Sequence, residues 1–179
     1  MQSSPHRYSA VAIALHWLMA LGLIGAIGVG WYVSELPMSV QRLKLINWHK
    51  WFGITLLLLA ALRLVWRATH RPPPEPPMPR WQAQAAQGVH GLLYALMLAV
   101  PLIGWAYSNA AGFPVVWFGV LPLPGFVGTD KALAETLKGV HKIAAWTLAL
   151  LIVAHVGAAL KHQFIDRDRL LARMGLGKE

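Results

Sequence analysis

The amino-acid sequence predicts an all-α fold: an integral membrane four-helix bundle with short loops and an outer interfacial loop or helix. Hydrophobic residues make up 56% of the chain, whereas charged residues make up only 13%. Four apolar segments, at residues 10–33, 47–66, 87–108 and 139–162, are each long enough to cross a hydrocarbon core of about 30 Å. None of them contains Asp or Glu. We therefore expect residues 1–179 to form a single multi-pass domain in a lipid bilayer.

The positions of the basic residues predict how the four segments are oriented. Cytoplasmic termini place more Lys and Arg on the inner side than on the outer side, as the positive-inside rule requires. A net charge of +9 would suggest nucleic-acid binding in a soluble protein, but these residues flank apolar segments, so we expect no nucleic-acid partner. The inner residues are Arg7, Arg63, Arg67, Arg71, Arg80, Lys161, Arg167, Arg169, Arg173 and Lys178, and the outer residues are Arg42, Lys44, Lys50, Lys131, Lys138 and Lys142.

The connections between the segments differ in composition. Residues 34–46 form a short outer loop, and residues 70–79 form a proline-rich inner linker that should be extended and semi-rigid. Residues 109–138 mix aromatic residues with Gly and Pro, which is typical of a loop on the outer interface, and a short helix should begin near Thr129 or Asp130. The charged tail after Phe164 should form a helix end on the inner surface.

Histidines within the apolar segments are the main functional signal. His141 and His155 lie fourteen residues apart on the fourth segment. In an α-helix that spacing returns to within about 40° of the starting direction and climbs roughly 21 Å. Because imidazole in hydrocarbon is costly unless it is paired or liganded, one helix face with two imidazoles at two depths favours two stacked metal centres.

Antiparallel packing matches each of these histidines with another one. His16 lies about as far from the inner edge as His155, and His49 lies about as near the outer edge as His141. Each pair faces a gap between helices that could hold a flat macrocycle, as bis-imidazole ligation of haem iron requires. The chain has no Cys, so any haem is held without thioether bonds. We predict two b haems, with these four histidines as the ligands of the iron.

Arg63 is the predicted contact of a haem propionate. It lies fourteen residues after His49, which puts it on the same helix face at the level of the inner haem. A buried guanidinium needs an anionic partner, and the spans contain no carboxylate. The alternative is that its side chain extends to the inner headgroups.

Two glycines lie at levels that complement the histidines. Gly30 follows His16 by fourteen residues, and Gly104 follows His90 by the same number. A position without a side chain lets a ring approach the backbone closely. The alternative is that these glycines simply pack the helices together.

Several short motifs together resemble the bacterial cytochrome b561 family over essentially the whole chain. They are HW at residues 16–17, NWHKWFG around His49, GVH ending at His90, GVHK around His141 and the pair of His155 and His162. The resemblance implies a four-helix di-haem b cytochrome of the bacterial inner membrane that exchanges electrons with quinone. It further implies a superoxide oxidase, which oxidises superoxide at the periplasmic face and reduces ubiquinone.

Four other residues have expected positions along such an electron-transfer path. Lys50 and Lys142 adjoin the outer ligands and are candidates for steering an anionic donor, although ordinary solvated loop charge explains them equally well. His90 and His162 are expected at the inner interface, shallower than the inner haem, where they are candidates for contact with ubiquinone. Two alternatives remain for these two: a solvated interfacial histidine, and a pairing of His90 with His155 around the inner haem.

Two other functions remain open. One is a haem-bearing membrane anchor that passes electrons between a dehydrogenase or hydrogenase partner and quinone, so that a protein partner is possible but not required. The other is a haem-free transporter that uses the same histidines. A b-type absorption spectrum separates the first two functions from the third, and reduction of the haems by superoxide without a partner separates the enzyme from the anchor.

Overall fold

The computed structural model describes residues 7–74, 78–168 and 170–176. Its four long helices are α1 (Ala10–Glu35), α2 (Val40–Thr69), α3 (Arg80–Ala110) and α4 (Lys131–Lys161). Each contains an apolar stretch that is long enough to cross a membrane. Consecutive helices pack side by side. The predicted all-α membrane bundle of four helices is confirmed.

The exposed surface of the helices is apolar. Leu21, Ile143 and Leu150 are each 69% exposed, and they lie on α1 and α4. Large apolar side chains on this scale are unfavourable in water but stable in hydrocarbon. The helix faces that do not pack against each other therefore contact the lipid bilayer.

The helices extend beyond the apolar segments that predict them. Because α2 begins at Val40, the first connection covers only residues 36–39 rather than 34–46, and α3 begins at Arg80 rather than near residue 87. The short helix expected near Thr129 or Asp130 is the first part of α4, which starts at Lys131. An apolar pattern reports only the part of a helix in hydrocarbon, whereas backbone hydrogen bonding continues into polar sequence.

Polar side chains cap three of the helix starts. The hydroxyl groups of Ser9 and Ser39 accept hydrogen bonds from backbone N–H groups three residues later, at 3.3 and 3.2 Å. The carboxylate of Asp130 does the same at 3.0 Å. Such caps satisfy N–H groups that have no partner within the helix. The helix α3 has no side-chain cap and begins directly after Pro79, at the end of the proline-rich linker.

The long connection before α4 contains a small hairpin that the sequence pattern does not predict. Its strands, β1 (Val116–Trp117) and β2 (Leu121–Pro122), are antiparallel. Phe118 and Gly119 in the turn have φ of 50° and 72°, as tight hairpin turns require. The indole Nε1 of Trp51 donates to the carbonyl of the first β1 residue at 2.7 Å, so the hairpin is fixed against α2.

The segment after α4 folds back against the bundle. It consists of a π-helical turn (His162–Asp166) and a 3-10 helix (Leu170–Met174). The indole Nε1 of Trp17 in α1 donates to the carbonyl of Met174 at 2.9 Å. The tail is therefore a packed cap and not the simple charged helix end that its composition predicts. We call this end of the bundle the terminal end, and the end with residues 36–39 and 111–130 the loop end.

Candidate functional site

Two histidine rings face each other near the loop end. They belong to His49 on α2 and His141 on α4, their centroids are 6.2 Å apart, and their planes are nearly perpendicular at 87°. Two imidazoles that ligate one iron from opposite sides have centroids about 6 Å apart, given about 2 Å for the metal–nitrogen bond and about 1.1 Å from nitrogen to centroid. The separation between these rings therefore suits bis-imidazole ligation.

Glycines make room for both rings. A Cβ atom on Gly30 would lie 2.9 Å from Cε1 of His49, and a Cβ atom on Gly104 would lie 2.9 Å from Cε1 of His141. Both distances are shorter than a carbon–carbon contact allows. The ring that approaches each glycine is the histidine of the neighbouring helix, whereas the sequence-based expectation is clearance for the haem macrocycle.

A backbone carbonyl orients one of these two rings. Nδ1 of His141 lies 3.0 Å from the carbonyl of Val100, one turn before Gly104. If Nδ1–H donates to this carbonyl, Nε2 keeps its lone pair, which is the usual arrangement of a metal-binding histidine. Nδ1 of His49 is buried and has no hydrogen-bond partner among the described residues.

A second cluster of rings lies nearer the terminal end. The centroids of His16 on α1 and His155 on α4 are 6.2 Å apart, the same separation as at the loop end. His90 on α3 lies 5.3 Å from His155, about 1 Å closer than two ligands of one iron would be. The distances therefore favour His16 over His90 as the partner of His155. The His90 ring adjoins the second cluster, and its side chain is exposed.

Arg63 adjoins this second cluster. Its Nη1 lies 2.9 Å from Nδ1 of His16, and its Nε donates to the hydroxyl of Tyr94 on α3 at 3.0 Å. The guanidinium is thus held between helices, in contrast to the alternative in which it extends to the headgroups. Tyr94 is absent from the sequence-based set, although its place one turn after His90 would have put it on the same helix face.

The four helices share the same spacing between the residues that they contribute to the two clusters. Each carries two of these positions fourteen residues apart, one in each cluster. The helices α1 and α3 pair a histidine at the terminal end with a glycine at the loop end, whereas α2 pairs an arginine at the terminal end with a histidine at the loop end, and α4 carries a histidine at both ends. The terminal-end positions are His16, Arg63, His90 and His155, and the loop-end positions are Gly30, His49, Gly104 and His141.

The donor sets fit haem better than a bare metal ion. Within residues 7–74, 78–168 and 170–176, no group of three His, Cys, Asp or Glu side chains is placed to hold a metal ion. A structural metal ion usually takes four protein ligands. Haem needs only two axial ligands from the protein because the macrocycle supplies the others.

The two lysines next to the loop-end ligands differ in their contacts. Nζ of Lys50 donates to the carbonyl of Phe113 at 3.3 Å and lies 5.9 Å from the Phe113 ring, so it ties the loop to α2. Lys142 is exposed. Their charges lie at the same end of the bundle as His49 and His141.

His162 lies beyond the end of α4, apart from the second cluster. Its Nδ1 is 2.6 Å from Oδ2 of Asp168 and 3.3 Å from Oδ2 of Asp166, and its side chain is 16% exposed. No ring contact links it to His90 or His155 in the described part of the chain. The two quinone candidates are therefore in different surroundings: His90 is exposed beside the second cluster, whereas His162 is held by two carboxylates and its side chain is largely covered.

Comparison with known proteins identifies the family. The family model for prokaryotic cytochrome b561 matches residues 7–177. The chain is 35% identical to cytochrome b561 homolog 2 of Escherichia coli K12 over 98% of this chain and 94% of that protein. It is 32% identical to cytochrome b561 homolog 1 of the same organism, over 94% and 97% of the two chains. It is also 32% identical to the probable superoxide oxidase CybB of Yersinia pestis, over 94% and 95%. The chain therefore belongs to the prokaryotic cytochrome b561 family, which implies b-type haem and electron transfer across the membrane.

Proposed function

We propose that the protein is a superoxide oxidase of the bacterial inner membrane, with both termini in the cytoplasm. It takes electrons from superoxide at the periplasmic loop end and reduces ubiquinone near the terminal end. The observation that carries the proposal is the presence of two histidine pairs with the same ring separation, 6.2 Å, at two levels of one bundle. A similar protein is named a probable superoxide oxidase.

The two pairs are the residues that would hold the haems. His49 and His141 would hold the outer haem, and His16 and His155 would hold the inner one. Bound there, haem would supply one-electron redox chemistry. The protein's residues hold the rings, exclude water between the helices and keep the two centres at fixed depths.

Arg63 is the proposed partner of an inner-haem propionate. A guanidinium only donates hydrogen bonds, and a metal-bound histidine usually donates from its second nitrogen. Two donors cannot share a hydrogen bond, so Nη1 of Arg63 needs another acceptor when His16 binds iron through Nε2. A carboxylate next to the ring satisfies that need and balances the charge.

Charge at the loop end supports an anionic donor. Six Lys and Arg residues belong to this end, against three carboxylates. Lys50 and Lys142 directly follow the two proposed ligands there in the chain. A surplus of positive charge raises the local concentration of an anion such as superoxide.

The quinone reaction requires protons as well as electrons. Two superoxide anions each lose one electron and become two molecules of dioxygen, and ubiquinone gains both electrons and two protons to become ubiquinol. His90 beside the inner pair and His162 beside Asp168 are the candidates to contact ubiquinone or donate these protons.

The test combines haem counting with ligand variants. We expect two b haems per purified chain by the pyridine haemochrome assay, and superoxide should reduce them without a partner protein. His49→Ala and His16→Ala should each lose one haem, whereas His90→Ala should keep both. His70→Ala is the matched control because His70 stacks on Trp66 at 3.7 Å, outside both clusters.

Three outcomes would contradict parts of the proposal. Two normal low-spin haems in His49→Ala would contradict the assignment of His49 and His141 as ligands of one haem. Loss of a haem in His90→Ala would favour the alternative pairing of His90 with His155. If superoxide reduced neither haem, the membrane anchor of a dehydrogenase or hydrogenase would become the better assignment. If the purified protein had no haem absorption, the haem-free transporter would be the remaining candidate function.

A further inference from the structure

Two arginines meet on one tyrosine ring beside the inner histidine cluster. Arg63 and Arg67 lie one turn apart on α2, and Tyr94 lies opposite them on α3. The guanidinium carbons are 5.8 and 5.9 Å from the centre of the Tyr94 ring. These distances are typical of cation–π contacts, and Arg63 also donates to the Tyr94 hydroxyl at 3.0 Å. One side chain on α3 therefore holds both cations in the same place.

The two cations lack carboxylate partners. Apart from Glu75, which lies outside the described residues, residues 36–129 contain no Asp or Glu. At the end of α4, Asp166 pairs with Lys161 and Asp168 pairs with His162. In the parts of the chain that the structure describes, neither arginine forms an ion pair. Arg63 is half-buried and Arg67 is exposed near the end of α2, and two adjacent positive charges without a carboxylate partner favour a ligand with about two negative charges.

The free polar groups at this place are all donors. A guanidinium has five N–H groups and no acceptor, and Arg63 uses Nε and Nη1 in the contacts described above. The Tyr94 hydroxyl accepts from Arg63, which leaves its own hydrogen free to donate. Donors arranged around two planar cations suit carboxylates, which accept paired hydrogen bonds from arginine.

The location identifies the carboxylates. Arg63 contacts His16, a proposed ligand of the inner haem, and haem b carries two propionates. Arg63 lies six residues before the last residue of α2, Thr69, which corresponds to about 9 Å inside the helix end. That depth favours a ligand bound between the helices for Arg63, whereas Arg67 is exposed and lies only two residues before Thr69, so a lipid phosphate at the headgroup level is the competing ligand at Arg67.

We propose that Arg63, Tyr94 and Arg67 form one carboxylate-binding site for both propionates of the inner haem, with Tyr94 as the residue that positions the two guanidiniums. This inference rests on the proposed di-haem function. It assigns roles to Tyr94 and Arg67 beyond the contact proposed for Arg63 alone.

The test measures the midpoint potentials of both haems by redox titration, together with haem content. The variants are Arg67→Gln, Tyr94→Phe and Tyr94→Leu, and the inner haem is identified as the one that His16→Ala removes. A nearby positive charge favours the reduced iron, so loss of either guanidinium from the site should lower the inner midpoint potential and leave the outer one unchanged. Tyr94→Leu should have a larger effect than Tyr94→Phe, because Phe keeps the ring. Arg71→Gln, a cation in the linker, and Tyr107→Phe, a tyrosine elsewhere on α3, are the matched controls.

Other outcomes would overturn the site. If Arg67→Gln and Tyr94→Leu kept two haems with unchanged midpoint potentials, the proposed carboxylate-binding site would be wrong. The two proposed histidine pairs would be unaffected by that result. If the shifts occurred in vesicles with phosphatidylglycerol but not in vesicles of phosphatidylcholine alone, the ligand would be a lipid phosphate. A failure of His16→Ala to remove a haem would instead refute the proposed function. If Tyr94→Leu does not fold, Tyr94→Phe and Arg67→Gln decide the question.

Discussion

The rings of His49 and His141 reach their positions because two neighbouring backbone positions lack a side chain. A Cβ atom added to Gly30 or to Gly104 would lie 2.9 Å from a carbon of the neighbouring imidazole ring. The same glycine spacing in an ordinary transmembrane helix would serve close helix packing. Here the close approach is made by an imidazole, so these glycines contribute directly to the geometry of the proposed outer haem site.

Replacement of Gly30 by Ala should therefore weaken haem binding at the outer site. Overpacking of this kind costs about 1–3 kcal/mol, which corresponds to roughly 5- to 150-fold weaker binding. We expect a lower content of low-spin haem, measured by the pyridine haemochrome assay and the absorption spectrum. Gly28→Ala is the matched control, because a Cβ atom there meets nothing within 4 Å. Equal haem content in the two variants would show that the clearance at Gly30 is not needed.

How far the sequence predicts the site differs from residue to residue. The two proposed ligand pairs follow from spacing alone because the rise and rotation of a helix are fixed. The contact between His90 and His155 does not follow, since it depends on how α3 packs against α4. The role of Tyr94 depends on how α2 packs against α3, which no local pattern encodes.

At the scale of elements, hydropathy predicts the four helices but not the structures that join them. The hairpin forms because Trp51 and Thr55 on α2 bond to it, through the carbonyl of Val116 and the indole Nε1 of Trp117. The C-terminal cap likewise depends on partners distant in sequence, since the backbone N–H of Tyr8 donates to the carbonyl of Arg173. Both elements depend on long-range hydrogen bonds, and neither has a periodic sequence signal.

The C-terminal cap is testable through its bond to α1. Trp17→Phe keeps an aromatic ring but removes the indole donor to Met174, which should cost about 1 kcal/mol. We expect faster trypsin cleavage after Arg173, whose own side chain donates to the carbonyl of Pro74 at 2.6 Å. Trp31→Phe is the control because Trp31 is 62% exposed on the lipid side of α1. Unchanged cleavage in Trp17→Phe would mean that this bond does not hold the cap.

At the scale of the whole molecule, both ends of the bundle carry a surplus of positive charge, and the larger surplus lies at the terminal end, whose sequence has ten Lys and Arg residues and four carboxylates. In the proposed orientation, the loop end has six Lys and Arg residues and three carboxylates, Glu35, Asp130 and Glu135. Among the described residues at this end, exposed Lys138 pairs with Glu135 at 3.4 Å. The other five cations there form no ion pair within the described chain. The resulting positive field acts at the end where the outer haem is proposed, so it should draw in an anion and not a neutral quinone.

This field predicts how the rate of reduction by superoxide depends on salt. Interactions between exposed charges are screened beyond a Debye length of about 8–10 Å at physiological ionic strength, so the second-order rate constant should fall as salt is added. Lys142→Gln should slow the reaction several-fold and reduce its salt dependence, because Lys142 is exposed next to a proposed ligand. Lys50→Gln should have a similar electrostatic effect but should also loosen the loop, since Lys50 bonds to Phe113.

Stopped-flow measurement of haem reduction separates these contributions. Arg71→Gln, which removes a cation from the opposite end, should leave both the rate of haem reduction by superoxide and its salt dependence unchanged. Reoxidation of chemically reduced haem by ubiquinone should be normal in Lys142→Gln, Lys50→Gln and Arg71→Gln. Because screening acts only on charged reactants, a rate that is independent of salt in the unmodified protein would exclude electrostatic entry of the donor. Reduction at the same rate in Lys142→Gln and the parent protein would instead place the entry point away from this lysine.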